Sequence, residues 1–136
     1  MSTVLDAYAL IALTLDEPAA DEVARILRGG DAAVTSVNYG EALDQLVRAR
    51  GMPEPRVRSV LEPLLDGPLG RVDVGFDIVG KAVRLRAAHY HSERSPLSLA
   101  DCICVAAAGS SGAVATADTA ILAMAESEGI ATARLA

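Results

Sequence analysis

Three aspartates stand alone in apolar segments of the chain, where a carboxylate needs a compensating partner. Each is the only charged residue of its segment: Asp6 within 4–15, Asp101 within 97–109 and Asp118 within 113–125. A buried Asp is tolerated when it is hydrogen-bonded, paired or bound to a cation. Because these segments contain no Lys or Arg, a shared metal ion is the most economical partner for the three carboxylates.

Each Asp also has a purely structural interpretation as part of a helix start. Asp6 and Asp118 follow predicted strands and precede predicted helices, which is where Asp serves as an N-cap. Ser98 and Asp101 have the spacing of a capping box. From the residues alone, both interpretations stay open.

Glu41 is the fourth candidate acid. On the helix predicted from Val37 it lies at the edge of the apolar stripe, where periodicity alone indicates a solvent-exposed residue. Its small neighbour Gly40 is expected to allow the close approach of another backbone. A set of oxygen ligands selects Mg²⁺ or Mn²⁺ over zinc or copper. The histidines, His89 and His91, lack a ligand-spaced cysteine pair, so zinc is set aside.

The elements that must position these acids alternate along the chain. Strands are predicted at 3–5, 32–35, 71–74, 113–116 and 131–135. Helices are predicted at 7–15, 18–28, 37–50 with Ser36 as cap, 54–65, 77–90, 98–108 and 119–128. This order indicates an α/β fold of three layers, α/β/α, with a mostly parallel central sheet of short strands. Sites in such sheets form at the carboxyl ends of the strands, where Asp6 and Asp118 are expected.

Composition bounds the class of protein. The 136 residues, 51% of them hydrophobic, are expected to form a single domain, 1–136. A net charge of −6 argues against a protein that coats nucleic acid, but it leaves a nuclease open. No basic leader and no uncharged run long enough to span a bilayer is found, so a cytoplasmic protein is expected. Cys102 and Cys104 are expected to fill the core in reduced form.

Four motifs carry a family resemblance: VLDAYAL at 4–10, SVNYGEA at 36–42, LSLADC at 97–102 and ATAD at 115–118. In order and spacing they resemble the PIN-domain ribonucleases, and most closely the VapC-type toxins of bacterial toxin–antitoxin pairs. The resemblance implies a PIN-like fold, a Mg²⁺- or Mn²⁺-dependent endoribonuclease that hydrolyses RNA phosphodiester bonds, a homodimer, and a cognate antitoxin that blocks the site.

Site residues carry over by motif. Asp6 and Asp101 correspond to metal ligands, and Glu41 and Asp118 complete the acidic pocket. Thr116 matches a small hydroxyl position that binds water or a carboxylate. The chain departs from the family at two positions that often hold Arg after the third and fourth acids; these are Cys102 and Thr119.

Other functions have weaker support in the sequence. A PIN-like nuclease with a housekeeping role in RNA processing shares every motif, whereas a non-catalytic PIN-like binding module is expected to have lost an acid. A receiver-type phosphoacceptor needs an acidic pair near the first strand and a late Lys, but the sole Lys is Lys81. A Mg²⁺-dependent phosphatase is disfavoured because Asp6 lacks a second Asp two residues later.

Partners are expected on two kinds of surface. The Ala- and Leu-rich helices between Ala7 and Arg50 are predicted to offer apolar surface to a second copy and to an amphipathic antitoxin segment, whose basic side chain would pair with the acids. The RNA needs cations outside the pocket, and each candidate could equally be part of a solvated helix face. The candidates are Arg48, Arg50, Arg56, Arg58, Arg84, Arg86 and Arg94.

Overall fold

A five-stranded parallel sheet runs through the centre of the computed structural model, which describes residues 2–136. The strands are β1 (Thr3–Leu5), β2 (Ala32–Thr35), β3 (Leu69–Val72), β4 (Ala113–Thr116) and β5 (Ala131–Arg134). They lie in the order β3-β2-β1-β4-β5, and every pairing is parallel. The chain therefore reverses its direction of winding between β1 and β4, which is where an open α/β sheet forms a crevice.

Helices cover both faces of this sheet. They are α1 (Ala7–Leu15), α2 (Ala20–Arg28), α3 (Ser36–Asp44), α4 (Glu54–Leu65), α5 (Phe76–His89), α6 (Leu99–Ala108) and α7 (Thr119–Ser127), and α3 continues into a π-helical turn at Gln45–Ala49. Adjacent residues of β1 point to opposite faces. Leu5 joins one buried cluster with α1 to α4, and Val4 joins another with α5 to α7. The predicted three-layer α/β/α fold is confirmed.

Several predicted boundaries differ from the structure: the third strand ends at Val72 rather than 74, the helix predicted at 37–50 becomes a π turn from Gln45, and others shift by one residue. Three of the differences have local reasons. The second helix begins at Ala20 rather than Pro18, because the residues after Asp16 form a tight turn. The third strand begins at Leu69, whose buried side chain pairs in register with Ala32, rather than at Arg71. The cap of α3 is Thr35 rather than Ser36.

The apolar side chains of the helices between residues 7 and 50 are divided between the core and partly exposed positions, which include Tyr8, Ile11, Leu13 and Leu15 of α1. In α1 the side chains of Ala7, Ala9, Leu10 and Ala12 are buried against the sheet. The exposed large apolar residues lie mostly elsewhere: Val37, Val60, Phe76, Val83, Tyr90 and Leu99. Within residues 2–136, no helix is both long and apolar enough to cross a membrane.

Candidate active site

A cavity of about 510 Å³ is lined by five acids, and four of them are the candidates from the sequence, which come from four different parts of the chain. Asp6 directly follows β1, and Asp118 comes two residues after β4. Asp101 lies in the first turn of α6, and Glu41 lies in α3. The structure therefore brings together all four of the acids selected from the sequence, at the edge of the sheet where β1 and β4 end.

Asp6 is the most buried of the four, with 6% of its surface exposed. Its Oδ1 accepts a hydrogen bond from the N–H of Ala9 at 3.0 Å, and its Oδ2 accepts one from the hydroxyl of Thr116 at 2.5 Å. Burial raises the pKa of Asp6 from an ordinary 3.8 to about 6. The two hydrogen bonds oppose that shift, and the charges of Asp101 and Asp118 add to it.

Thr116 joins two of the acids. While its hydroxyl donates to Asp6, the same oxygen accepts a hydrogen bond from the N–H of Asp118 at 3.0 Å. Thr116 is fully buried in the last position of β4. The side chain thus fixes the start of α7 relative to the end of β1.

Asp118 and Asp101 each accept hydrogen bonds at the start of a helix, α7 and α6 respectively. Oδ1 of Asp118 accepts hydrogen bonds from the N–H groups of Ala120 and Ile121, at 2.8 and 3.3 Å. Oδ2 of Asp101 accepts one from the N–H of Ser98 at 2.8 Å, and the Ser98 hydroxyl accepts one from the N–H of Asp101 at 3.0 Å. Among residues 2–136, no group donates to the second oxygen of either carboxylate.

The capping and cavity-lining interpretations therefore apply to the same side chains. Asp6 caps α1, Asp118 caps α7, and Asp101 completes the capping box of α6. Hydrogen bonds from a helix N-terminus fix the orientation of a carboxylate and favour its charged form. A carboxylate oxygen has two lone pairs, so an oxygen that accepts one hydrogen bond can still bind a cation.

Glu41 is half-buried, and its pKa is raised by burial and by the charge of Asp101, while the nearby Asn38 side chain opposes the shift. The Asn38 side chain is buried, and both its oxygen and its nitrogen are hydrogen-bonded. Its Oδ1 accepts from the Thr35 hydroxyl at 2.6 Å, and its Nδ2 donates to the carbonyl of Ala100 at 3.4 Å. Asn38 therefore links the first turn of α3 to the first turn of α6, and so Glu41 to Asp101.

The reason given from sequence for a special role of Gly40 is wrong. A Cβ atom added to Gly40 would meet no atom within 4 Å in the part of the chain described. No other backbone packs closely there, and the place of Glu41 in the cavity follows from the direction of α3 instead.

Four polar residues of the cavity wall were not assigned to the pocket from the sequence: Tyr8, Glu17, Gln45 and Arg50. The Tyr8 hydroxyl donates to the carbonyl of Ala136 at 2.8 Å. Gln45 lies one helical turn after Glu41, so helical periodicity alone could have placed the two side chains on the same face. The other three come into the wall through the packing of α1 and the bend after α3, which no local pattern reveals.

The donor set fits a hard divalent cation. Oxygen ligands suit Mg²⁺ and Mn²⁺, and Mg²⁺ binds proteins through one or two carboxylates while it keeps several waters. Within residues 2–136, no three acidic, His or Cys side chains are drawn together into a compact cluster. Carboxylates that are spread around an open cavity suit an ion that keeps most of its water ligands. Asp6 and Asp101 could bind it directly, with Glu41 and Asp118 acting through water.

The cysteines beside the site offer no nucleophile. Cys102 and Cys104 are both buried and unbonded. Burial, followed by the charge of Asp101, raises the pKa of Cys102 to about 11, and burial raises the pKa of Cys104 as well. The thiols therefore stay protonated at neutral pH.

Comparison with known proteins identifies both the fold and a family match. The family model described as PIN domain matches residues 3–127. Among curated proteins none matches the chain in sequence. VapBC2 from Rickettsia felis, solved bound to a DNA fragment from its promoter, superposes with a TM-score of 0.74 at 11% identity and covers 100% of both chains.

Two further solved structures are similar. A toxin–antitoxin complex from Klebsiella pneumoniae has a TM-score of 0.65 at 22% identity, and the match covers 90% of this chain and 91% of that one. PAE2754 from Pyrobaculum aerophilum has a TM-score of 0.65 at 18% identity, over 97% of this chain and 90% of that one. At these identities the three structures show a shared fold.

The raised pKa of Asp6 predicts how stability depends on pH without metal. The folded state holds the Asp6 proton up to about pH 6, whereas the unfolded state loses it near 3.8. Its stabilising contribution is therefore complete below pH 3.8 and is lost as the pH rises through 6. In Asp6→Asn the amide oxygen can still accept the hydrogen bond from the N–H of Ala9, but the side chain cannot ionise. Relative to wild type, its free energy of unfolding should increase by on the order of 3 kcal/mol between pH 4 and pH 7.

Urea unfolding in the presence of a chelator measures this difference at each pH. Asp77→Asn is the matched control, because Asp77 lies exposed in the first turn of α5. A difference between Asp6→Asn and wild type that does not change with pH would show that Asp6 acts only as a helix cap.

Proposed function

The chain belongs to the PIN domain family, and from that premise we propose that it is an endoribonuclease that depends on Mg²⁺ or Mn²⁺. PIN domains are generally nucleases. The observation that carries the proposal is the convergence of Asp6, Glu41, Asp101 and Asp118 on one cavity. Burial, followed by the charges of neighbouring acids, raises the pKa values of Asp6, Glu41 and Asp101, and a bound divalent cation would favour their charged forms.

In this proposal Asp6 and Asp101 hold the ion directly. Asp6 is fixed by Ala9 and Thr116, and Asp101 is fixed by Ser98 with one oxygen left without a protein donor. Glu41 and Asp118 complete the binding of the hydrated ion. When bound, a divalent ion lowers the pKa of a coordinated water and neutralises charge on the phosphate.

The protein's own groups orient this chemistry. Oδ2 of Asp118, which has no hydrogen-bond donor among residues 2–136, is available to accept a proton from a water molecule in the cavity. Glu41 faces the same space from α3, where its raised pKa suits it to accept a proton and pass it on. Fixed carboxylates would hold the hydrated ion and the reacting water in one geometry, so little reorganisation is needed during the reaction.

The proposal includes an antitoxin partner and a homodimer. The R. felis and K. pneumoniae neighbours are described as toxin–antitoxin assemblies. A cavity lined by five carboxylates attracts a basic side chain from a partner, which would compete with the metal. The exposed apolar side chains of α5 and its surroundings (Phe76, Val83, Tyr90 and Leu99) supply surface for association.

The central prediction concerns loss of cleavage. Asp6→Asn and Asp101→Asn each remove a direct metal ligand while an amide oxygen keeps the helix-start hydrogen bond. Each variant should therefore fold and show only background cleavage of single-stranded RNA in Mg²⁺ or Mn²⁺. Glu41→Gln and Asp118→Asn should retain partial activity. Cleavage is followed on labelled RNA with a chelator control, and Asp77→Asn should match wild type.

Two outcomes would contradict this prediction. Cleavage that persists in the chelator would remove the metal from the mechanism. Cleavage that persists in folded Asp6→Asn and Asp101→Asn would place the reaction elsewhere.

Metal should also stabilise the fold. A ligand that binds only the folded state adds about 2.7 kcal/mol when its free concentration is about a hundred times its dissociation constant. Thermal melting with Mn²⁺ should therefore occur several degrees above melting with a chelator. The gain should shrink in Asp6→Asn and remain in Asp77→Asn. Equal gains in all three proteins would mean that Mn²⁺ binds outside the cavity.

The toxin role predicts a growth phenotype. Production of the wild-type chain in bacteria should arrest growth and production of Asp6→Asn should not, because arrest requires cleavage. Coproduction of the protein encoded beside this chain should restore growth, and light scattering should give a dimer for the chain alone. Normal growth with an RNA-cleaving wild type would instead support a housekeeping role in RNA processing.

A further inference from the structure

The end of α3 departs from α-helical geometry at one turn. Residues Gln45–Ala49 form a π-helical turn, and the N–H of Arg50 donates to the carbonyl of Gln45, five residues earlier, at 3.0 Å. In a continuous α-helix two residues spaced by five point about 140° apart. A π turn contains more residues than an α turn, so residues spaced by five lie much closer to the same side of the helix.

This extra residue decides which side chains reach the cavity. Glu41 and Gln45 are four residues apart and share a face of the helix. The π turn then brings Arg50 onto that face, and all three side chains line the cavity of the acids. Without the insertion Arg50 would be turned away from the acids. Single π turns occur frequently at functional sites.

Arg50 differs from the other arginines considered above in lining the cavity of the acids; Arg56 and Arg94 also form no ion pair within residues 2–136, but they do not line it. Arg48 is paired with Asp44 at 3.1 Å, and Arg58 with Glu54 at 2.7 Å. Arg86 donates to the carbonyl of Leu97, and Arg84 lines a separate cavity beside α5 and α6.

Arg50 is the one Lys or Arg, among residues 2–136, that lines the acid cavity. Within the same residues it has no carboxylate partner within 4 Å. Its guanidinium is thus left free to bind an external anion.

An RNA strand that enters this cavity meets a concentration of negative charge. The net charge of −6 gives no general attraction for phosphate, so a local cation has to hold the strand. A guanidinium binds two phosphate oxygens at once and keeps its charge at any working pH.

We propose that Arg50 binds a backbone phosphate of the RNA, next to the bond that is cleaved, and thereby positions the strand over the carboxylates. This subsite rests on the proposed ribonuclease function and adds a substrate contact to it. Gln45, between Glu41 and Arg50 on the same wall, separates the subsite from the acids.

Steady-state cleavage of a single-stranded RNA oligonucleotide tests the subsite. A hydrogen-bonded contact to a charged group predicts that Arg50→Ala lowers kcat/KM by on the order of tenfold to a hundredfold, mainly through a higher KM. Arg50→Lys should recover part of the loss, since Lys restores the charge but lacks the planar guanidinium that binds two oxygens at once. Arg25→Ala is the matched control, because Arg25 is exposed, ion-paired with Glu22 on α2 and outside the cavity of the acids, and it should stay near wild type. Arg50→Ala should keep the full thermal gain from Mn²⁺.

A binding measurement separates a phosphate contact from a structural effect. In the Asp6→Asn background, the affinity for fluorescent single-stranded RNA is measured by anisotropy at several salt concentrations. Loss of one phosphate contact should make the log–log salt dependence shallower by about 0.7 in Arg50→Ala. The slope should not change in Arg25→Ala.

The outcomes separate a failure of the proposed subsite from a failure of the proposed ribonuclease function. A wild-type chain that neither cleaves nor binds RNA overturns both. A wild type that cleaves, with Arg50→Ala and Arg25→Ala alike in kcat/KM and salt slope, overturns the subsite alone. Loss of the Mn²⁺ gain in Arg50→Ala would show that the residue supports the acids rather than the RNA.

Discussion

The burial of one carboxylate, that of Asp6, is the constraint on which the site depends. It lies at the end of β1, the middle strand of the sheet, beneath the starts of the helices that follow. Transfer of a charged carboxylate to such a place is costly unless hydrogen bonds and a cation compensate it. The contacts from Ala9 and Thr116 compensate part of that cost, and the raised pKa of Asp6 shows that part of it remains.

Helix starts supply most of the order around this carboxylate. The first turns of α1, α6 and α7 contribute Asp6, Asp101 and Asp118 to one cavity. Each helix N-terminus carries a partial positive charge, which stabilises nearby carboxylates in the absence of other cations. The same peptide groups that begin the helices therefore orient the acids, and fold and site share their hydrogen bonds.

The sequence predicted the parts of the site that depend on local rules. Lone Asp residues after short strands indicated both the caps and the sheet edge, and the alternating elements indicated the parallel sheet. Asn38, Tyr8 and Arg50 could not be placed in this way. Asn38 acts through the carbonyl of Ala100, which is 62 residues away. Arg50 depends on a π turn, whose single extra residue leaves no mark in apolar periodicity. Tertiary packing decides all three.

The site therefore has two parts that differ in how freely they can change. A substitution at Asp6, Asp101 or Asp118 alters a helix start together with the chemistry, so these positions are bound to the fold. Arg50 is exposed, follows the last turn of α3, and has no carboxylate partner among residues 2–136. A change there, or the loss of one residue from the π turn, would move the cation and leave every helix cap in place. The strand ends and helix starts thus fix the acids, whereas the extension of α3 is free to change without altering them.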